Sequence, residues 1–425
     1  MDVRKDIKTA SQVVSKLMRS RSARRELARR APGLPRPAAG SIQVAVYFAD
    51  STVNLYQVRQ WYAPLAKLAE TWPVAIISRS PTAAIELIAE APIPVVYRRS
   101  IADLEGFIAE QDIRIVFYVN QNSKNFQMMR YGRVWHVFIN HGESDKMYMT
   151  TNQFKAYDYS LIAGEAARER LSRKLWNFDV DRRTLMIGRP QADHFAGPVP
   201  YSPDGRTVVL YAPTWEGDRG AAAYSSVVSH GEALTAAVLA SPAHRLIYRP
   251  HPRTGVLDRE FKRANESIIA AIAAANSRDS TAQHVFDDGP TLGWQLAAAD
   301  VAITDISAMV YDRLAVGKPL IVTRPVAASA DVDANGYLGA AEWLDSAEAG
   351  NILARVEQVQ HSENAKKTLE HWVTRHFGDT TPGVTTERFH AAVATLISEW
   401  EKHALVHVED RKVSETDPFD DDEDD

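Results

Sequence analysis

Two histidines in this chain occur where an imidazole group could perform acid–base chemistry. His141 lies in the turn Asn-His-Gly-Glu, directly after an apolar run that ends at Ile139, and His251 lies between two prolines in Tyr-Arg-Pro-His-Pro. The glycine makes the backbone beside His141 permissive, and the prolines restrict the backbone around His251 and aim its ring. Because imidazole titrates near neutral pH, either residue could serve as a general base. The alternative for each is an ordinary surface turn.

Hydroxyl, carboxylate and guanidinium groups occur at other junctions between a strand and a helix. In residues 297–323, an apolar run is followed by Thr304, Asp305 and Ser307, and then by a helical pattern that Gly317 is placed to end. Free N–H groups and the helix dipole attract phosphate at such a junction, although a simple helix cap explains Asp305 or Ser307 equally well. Four further residues in comparable places are candidate anion contacts: Thr214, Arg249, Thr386 and Arg388.

The elements that must position these residues form two series of short apolar runs with helix-like segments between them. The first series comprises Ile42–Phe48, Val74–Ile77, Val95–Tyr97, Ile113–Val119, Val134–Asn140 and Tyr159–Ala163. The second comprises Thr207–Tyr211, Arg245–Tyr248, Val285–Phe286, Val301–Thr304 and Leu320–Thr323. This alternation predicts α/β structure with parallel strands and crossover helices. One predicted helix, Leu55–Thr71, contains Pro64, which should kink or restart it.

The chain of 425 residues is too long for one ordinary domain. A stretch rich in proline and glycine at residues 196–204 separates a first domain, residues 41–195, from a second, residues 205–380, and a helix is predicted within residues 381–405. Two similar α/β halves indicate a cleft between two Rossmann-like domains. In such sheets ligands bind beyond the carboxyl ends of the strands.

The two ends of the chain carry opposite charges. The first 30 residues contain ten lysines and arginines against three acids, and Ile7, Ala10, Val14 and Leu17 fall on one helical stripe. Residues 1–40 are therefore predicted to be a basic amphipathic extension that binds an anionic membrane surface, with RNA binding or a solvated tail as alternatives. Residues 406–425 are predicted to be an acidic, disordered tail, and contact with the basic end is a further alternative.

Other features of the sequence limit its location and its chemistry. The chain has no cysteine, which excludes disulfides and thiolate metal sites. No run of 18 apolar residues and no signal peptide is present, so a cytoplasmic location is expected. The adjacent acids Asp287 and Asp288 could suggest a metal site, but Phe-Asp-Asp-Gly-Pro is more typical of a turn.

Five motifs in order carry a resemblance to a known family. They are Asn-His-Gly, Ala-Pro-Thr-Trp, Arg-Pro-His-Pro, Ile-Thr-Asp-Ile-Ser with a helix ending in Gly-Lys-Pro, and Phe-Gly-Asp followed by Thr-Glu-Arg. Together, from about Val134 to Ala394, they resemble the CDP-glycerol glycerophosphotransferases, which are teichoic-acid primases and polymerases. The resemblance implies a GT-B architecture and peripheral attachment to the inner face of the cell membrane. It also implies transfer of glycerol phosphate from CDP-glycerol to a lipid-linked acceptor, without metal or cofactor.

The resemblance implies that His141 takes the proton of the acceptor hydroxyl, and that His251 and Arg249 bind and stabilise the donor diphosphate. The acceptor side comprises Gly142, Glu143 and Lys146. The other donor-side residues are Thr214, Thr304, Asp305, Ser307, Thr386 and Arg388.

Two departures from the family pattern leave the substrates open. The family reads His-Gly-Thr-Pro-Leu-Lys where this chain has His-Gly-Glu-Ser-Asp-Lys, which adds two acids beside the proposed base. It also reads Thr-Asp-Tyr-Ser-Ser where this chain has Thr-Asp-Ile-Ser-Ala, so Ala308 lacks a hydroxyl. The acceptor is therefore undetermined, and ribitol phosphate or another polyol phosphate is an alternative to glycerol phosphate.

Two other functions remain compatible with the predicted fold. A GT-B sugar-nucleotide glycosyltransferase or epimerase would bind a UDP-sugar in the same kind of cleft. A non-catalytic scaffold would keep the fold without the chemistry, although two histidines within their motifs favour an enzyme. Nucleic-acid binding rests on the basic N-terminus alone and is not expected. The oligomeric state does not follow from the sequence.

Overall fold

The computed structural model of the chain describes residues 3–34, 36–143, 150–332 and 335–407, and it confirms the α/β class. Side chains of the first helix are described at Ser15 and from Leu17 onward. Two separate parallel sheets are present, each with helices packed on both faces.

The first sheet has seven parallel strands in the order β3-β2-β1-β4-β5-β6-β7. The strands are β1 Val44–Phe48, β2 Val74–Ser78, β3 Val95–Tyr97, β4 Ile115–Tyr118, β5 Trp135–Phe138, β6 Tyr159–Ile162 and β7 Thr184–Met186. The helices of this part are α1 Val3–Arg30, α2 Leu55–Arg59, α3 Tyr62–Leu68, α4 Pro81–Glu90, α5 Ile101–Glu110, α6 Glu165–Lys174 and α7 Val180–Arg183. The order reverses between β1 and β4, as in dinucleotide-binding sheets.

The second sheet has six parallel strands in the order β10-β9-β8-β11-β12-β13, with the same reversal between β8 and β11. The strands are β8 Thr207–Ala212, β9 His244–Tyr248, β10 Val285–Phe286, β11 Val301–Thr304, β12 Leu320–Thr323 and β13 Glu342–Leu344. The helices are α8 Glu232–Leu239, α9 Arg259–Arg278, α10 Trp294–Ala298, α11 Ala308–Val316, α12 Ile352–His361, α13 Glu363–Phe377 and α14 Val384–Val406. Both sheets therefore have the Rossmann order of strands, in agreement with the two Rossmann-like domains predicted from the sequence.

The central strands are apolar because helices cover both faces of each sheet. Every residue of β1, β2, β4, β11 and β12 is buried. Such strands read as largely apolar runs. The hydroxyl residues Ser78, Thr304 and Thr323 are fully buried at the last position of their strands, and charged side chains follow only after the strand has ended. This is why the predicted runs agree with the central strands and why the candidate site residues lie at their carboxyl ends.

Two edge strands, β7 and β13, were missed by the sequence reading. Each has only three residues and lies at a sheet edge, and each mixes polar with apolar residues, as Thr-Leu-Met and Glu-Trp-Leu, so neither gives a clear strand pattern. The effect of Pro64 was predicted correctly, because α2 ends at Arg59 and a new helix, α3, starts at Tyr62 with Pro64 in its first turn.

The last helix, α14, packs on the first sheet although it follows the second sheet in sequence. Phe389, Val393 and Leu396 are fully buried in the core that covers β1, β4 and β5. The Phe389 ring lies 5.3 Å from the Trp61 ring, and the indole N–H of Trp135 donates to the Leu396 carbonyl over 3.1 Å. The helix predicted within residues 381–405 is therefore an integral layer of the first domain.

The basic N-terminal segment forms one helix, α1, which lies along α4 and buries Ala23 and Leu27. Leu17 of the predicted stripe is exposed, and the side chains of Ile7, Ala10 and Val14 lie outside the described part. The predicted acidic tail lies outside it from residue 408 onward. Among the described helices, none has the length and apolar character needed to cross a bilayer.

Truncating the buried ring of α14 should destabilise the first domain. Phe389→Ala removes an aromatic side chain that contacts Trp61 and Phe117, so we expect a loss of about 3–5 kcal/mol in the free energy of unfolding. Leu405→Ala on the same helix is the matched control, because Leu405 is 75% exposed and should change stability by less than about 0.5 kcal/mol. Urea unfolding followed by tryptophan fluorescence measures both, and equal stabilities would contradict the packing of α14.

Candidate functional site

The turn that carries His141 projects from the carboxyl end of β5. Asn140 has a φ of +54°, a left-handed conformation that asparagine tolerates better than most residues. Its carbonyl accepts the indole N–H of Trp61, and its side-chain amide donates to the Gly142 carbonyl. These contacts hold the backbone in a tight turn and place the half-buried His141 ring beyond the carboxyl end of β5.

The orientation of the His141 ring is set by a backbone carbonyl. Nδ1 lies 2.9 Å from the carbonyl oxygen of Val119, the residue that follows β4. A carbonyl only accepts hydrogen bonds, so in the neutral ring Nδ1 carries the proton and Nε2 is the basic nitrogen. The Tyr56 ring packs edge-on at 5.7 Å. This arrangement is the one that a general base requires.

Arg189, which the sequence reading did not identify, joins the His141 turn to the second domain. One end of its guanidinium donates to the His141 carbonyl over 3.0 Å, and the other donates to Gln60 over 3.0 Å and to Asp312 of α11 over 2.6 Å. Both charged residues are buried, with 5% and 2% of their surface exposed. A signal was present in the sequence, because Asp312 and Arg313 are charged residues inside the otherwise apolar helix Ala-Met-Val-Tyr-Asp-Arg-Leu-Ala-Val.

The predicted acceptor-side residues have different surroundings. Gly142 lies against the Arg189 guanidinium, 3.9 Å from where a Cβ atom would be. Glu143 is buried and forms an ion pair with Arg170 of α6, so its carboxylate is turned into the first domain. Lys146 lies outside the described residues.

A small cavity of about 40 Å³ lies behind this turn. The side-chain amide of Gln191, which is 3% exposed, lines it and makes no hydrogen bond to any described residue. The walls are mostly apolar, and a space of this size has room for one or a few water molecules beside the Gln191 amide. A larger cavity of about 550 Å³ lies at the opposite edge of the sheet, where Trp135 and Tyr159 begin their strands, and so it lies away from His141.

In the second domain, Asp305 organises the loops at the carboxyl ends of β8 and β11. Its fully buried carboxylate accepts the backbone N–H groups of Thr214 over 2.7 Å and Ser226 over 3.1 Å, and the Thr323 hydroxyl over 2.5 Å. Burial raises its pKa to about 6, although these hydrogen bonds oppose the shift. Asp305 therefore supports the loop of Thr214 from inside the domain.

The N-terminus of α11 lies at the point where the strand order of the second sheet reverses. Ser307 caps this helix, and its hydroxyl accepts the N–H of Met309 over 3.2 Å, while Gly317 ends it with a φ of +70°. Thr304 is fully buried, and its hydroxyl makes no hydrogen bond within the described part of the chain. Sheets of this order bind ligands at such a point, and a helix N-terminus there favours phosphate.

His251 lies on the loop after β9, beside the loop after β8. Its Nδ1 accepts the N–H of Arg253 over 3.1 Å, so in the neutral ring Nε2 carries the proton. Its ring lies 6.3 Å from that of Trp215, and the Arg253 guanidinium lies 3.6 Å above the Trp215 ring. The His251 imidazole and the Arg253 guanidinium thus both lie beside the Trp215 indole, close to the carboxyl ends of β8 and β9.

Arg249 is held from within the second domain. It pairs with Asp287 and donates to the Gly289 carbonyl over 3.0 Å. Asp287 also accepts the N–H of Gly289 over 3.1 Å, which is the geometry of the turn predicted for Asp287 and Asp288. Among the described residues no group of three or more His, Asp or Glu side chains is arranged to hold a metal.

Thr386 and Arg388 lie where the chain returns to the first domain. The carboxylate of Asp193 accepts the N–H of Thr386 over 2.7 Å and its hydroxyl over 2.8 Å, so a protein anion already occupies this end of α14. Arg388 donates to the Phe377 carbonyl over 2.9 Å. Both residues join the segments that connect the domains.

Comparison with known proteins supports the resemblance carried by the motifs. Residues 138–326 match the family model described as CDP-Glycerol:Poly(glycerophosphate) glycerophosphotransferase. This match covers His141, His251 and the β11–α11 junction, and it confirms the predicted resemblance to enzymes of this transferase type. No curated protein is significantly similar to the chain in sequence.

Solved structures resemble the chain in fold. The wall teichoic acid polymerase TagF, soaked with CDPG, matches with a TM-score of 0.55 and 12% identity over 95% of this chain and 99% of its own. A Listeria monocytogenes protein assigned as a UDP-N-acetylglucosamine 2-epimerase matches with a TM-score of 0.56 and 13% identity over 85% of this chain and 98% of its own. Another UDP-N-acetylglucosamine 2-epimerase gives 0.54 and 13%, over 88% and 98%. These likenesses confirm the GT-B-like arrangement of two Rossmann-like domains.

The buried carboxylate of Asp305 should make stability depend on pH. Because its folded pKa of about 6 lies above the ordinary value of 3.8, its stabilising contribution is complete below about pH 4 and is lost as the pH rises through 6. Asparagine does not titrate, so relative to Asp305→Asn the wild type should lose about 3 kcal/mol across this window. Urea unfolding of both proteins at several pH values tests this. A stability difference that is constant from pH 4 to 7 would contradict it.

Proposed function

From the family match over residues 138–326 and the geometry of the two strand edges, we propose that this transferase moves a polyol phosphate from a CDP-linked donor to an acceptor hydroxyl. Glycerol phosphate is the group that the family description names. The proposal includes a lipid-linked acceptor and a place in the synthesis of a cell-envelope polymer. The fold likeness to a protein named as a wall teichoic acid polymerase agrees with this place.

The observation that carries the proposal is the anchored ring of His141. The Val119 carbonyl fixes its tautomer, which makes Nε2 basic, and Arg189 links its backbone to α11 of the other domain. A base on one domain is thereby tied to the helix whose N-terminus suits the phosphates of the donor.

In the proposed reaction, Nε2 of His141 takes the proton of the acceptor hydroxyl. The acceptor oxygen forms a new bond to the phosphorus that carries the polyol, and the bond from this phosphorus to the bridging oxygen breaks, so that CMP leaves. Such a transfer depends on alignment and on stabilisation of negative charge by preorganised donors.

The donor contacts follow from the surroundings of each candidate residue. We assign the diphosphate to the protonated Nε2 of His251, the Ser307 hydroxyl and the backbone N–H groups that open α11, with Arg253 as an additional cation. Arg249 is assigned an indirect role that holds the loop of His251, because Asp287 and the Gly289 carbonyl already bind its guanidinium. Cations and N–H groups then carry the phosphate charge, and we propose that no metal or cofactor takes part.

The two histidines should affect different kinetic constants. His141→Ala should lower kcat by about 10²–10⁴-fold, because it removes the base, while the Kd for CDP-glycerol stays within about twofold. His251→Ala should weaken donor binding as well as turnover. CMP release measures the rate, and calorimetry measures binding. His361→Ala is the matched control, because this histidine is 72% exposed on α12. Near-normal turnover of His141→Ala would show that the base is assigned wrongly.

The same assay distinguishes the alternatives when it is run with a panel of donors. CMP release from CDP-glycerol or CDP-ribitol supports the proposal and identifies the polyol, whereas UDP release or epimerisation of a UDP-sugar would support the sugar-nucleotide function. Excess chelator should leave CMP release unchanged. A loss of activity that Mg²⁺ restores would require a metal site that the proposal lacks.

The exposed face of α1 should bind anionic membranes. Leu17 and Met18 are 55% and 66% exposed, and exposed arginines surround them, including Arg19, Arg21 and Arg25. Each basic residue near such a surface contributes roughly 1 kcal/mol, within about a Debye length. Replacing these three arginines with glutamine should therefore weaken binding to anionic liposomes by at least tenfold in co-sedimentation, and added salt should weaken wild-type binding steeply.

This design spares the buried face of α1, which a deletion of the whole helix would remove from α4. The control replaces Arg259, Lys262 and Arg263 on exposed α9 with glutamine, which changes the net charge equally. Equal liposome binding by both triple variants would show that α1 is not the membrane contact.

A further inference from the structure

Arg189 makes three directional contacts that no apolar side chain could replace. Its guanidinium donates to a carbonyl in the His141 turn, to the amide oxygen of Gln60 at the end of α2, and to the carboxylate of Asp312 on α11. The first two acceptors belong to the first domain and the third belongs to the second. A planar guanidinium with donors at both ends is suited to hold several acceptors in one fixed geometry.

The backbone of Arg189 is fixed as firmly as its side chain. Its carbonyl accepts the Thr385 hydroxyl over 3.1 Å, and the next turn carries Asp193, which accepts Thr385 over 2.8 Å and caps α14. Beside it, Gly188 has a φ of +72°, and a Cβ there would lie 2.6 Å from the Thr385 side chain. Hydrogen bonds therefore join the two chain segments that connect the domains, next to the backbone of Arg189.

The partner of Arg189 lies on the helix that faces the donor. Asp312 is five residues from Ser307, which is about 7.5 Å along an α-helix. Since a helix of this length is rigid, fixing Asp312 also fixes the N-terminus of α11. The guanidinium thus connects the turn of the proposed base to the proposed phosphate site through one side chain and little more than one helical turn.

Stability alone does not account for this pair. A buried ion pair is often no more stabilising than apolar residues of similar volume, because both charges lose their hydration. In this position the Arg189–Asp312 pair contributes a defined spacing between the first and the second domain. The chain has a comparison within the second domain, where Arg245 is 1% exposed and binds Asp204 and several carbonyls, away from the cleft.

We propose that Arg189 is a positioning residue that sets the distance between His141 and the N-terminus of α11 through its bond to Asp312. The inference rests on the proposed function, because it assigns the base and the donor site that are kept in register. In the absence of this bond the domains remain folded, but the acceptor oxygen and the donor phosphorus are no longer aligned. Misplacement of about 1 Å costs on the order of 10²-fold in rate.

The test compares Arg189→Lys with Arg245→Lys. Lysine keeps the charge but presents its donors from a single nitrogen, so it cannot reproduce the spacing with which Arg189 binds Asp312 and the His141 carbonyl. Arg189→Lys should lower kcat by about 10–100-fold, with the Kd for CDP-glycerol changed by less than about threefold. Arg245→Lys should lower the melting temperature but leave kcat within about twofold. Asp312→Asn, which retains an acceptor oxygen, should keep more activity than Asp312→Leu. If Arg189→Lys and Arg245→Lys have equal kcat, the positioning role is refuted.

A second measurement reports on the same inference without turnover. Because the chain has no cysteine, single cysteines at Ala102 and Arg263 carry spin labels on the two domains without background labelling. Pulsed electron paramagnetic resonance then measures the distance between the two spin labels. The distribution of this distance should be narrow in the otherwise unaltered protein and in Arg245→Lys, and should broaden or shift in Arg189→Met. An unchanged distribution would refute the coupling. Failure of the proposed function is distinct, since the unaltered protein would then release no CMP while the spin-label result still stands.

Discussion

A strand that is covered on both faces accommodates a charged side chain poorly, and this constraint organises the whole molecule. In β11 four consecutive residues are buried, and the polar residues Asp305 and Ser307 follow at once. β5 is likewise largely buried, and the turn of His141 follows soon after it. Because all strands of a sheet are parallel, the polar residues that follow the strands lie together at the carboxyl ends of the strands. The candidate site residues are thus concentrated at the carboxyl ends of the strands of the two sheets. The two chain segments that connect the domains hold these regions together.

In these regions, most polar groups serve other protein groups before they could serve a substrate. Asp305 binds two backbone N–H groups, Asp193 caps α14, and Glu216 accepts three N–H groups of the loop after His251. Acceptors of this kind hold loops in one conformation, and the effect is strongest at the buried Asp305, since leaving a buried donor unpaired costs about 1–3 kcal/mol. His141, His251 and the N-terminus of α11 lie within this framework, where hydrogen bonds to the chain also fix their orientation.

The sequence predicted the central strands, the cap of α11 and the two histidine turns, because each is a local feature read from neighbouring residues. It did not predict which side chains pair across long distances. Thr386 looked like an anion contact because it opens a helix, yet the anion is Asp193, nearly two hundred positions earlier. Glu143 looked available to an acceptor, but it pairs with Arg170. Arg189 could not be ranked above other arginines, since its importance arises only when Asp312 and His141 lie on either side of it.

The placement of α14 has a consequence for how the protein is made. Residues near the end of the chain fill the core of the domain at its beginning, where Phe389 packs against Trp61 and Phe117. A ribosome would therefore release the first domain with one layer of its core open, and that apolar surface would stay exposed until the second domain had been synthesised. The second domain is continuous in sequence and could fold as it emerges. Contacts of such long separation slow folding, so the first sheet should be the part of the chain that chaperones encounter.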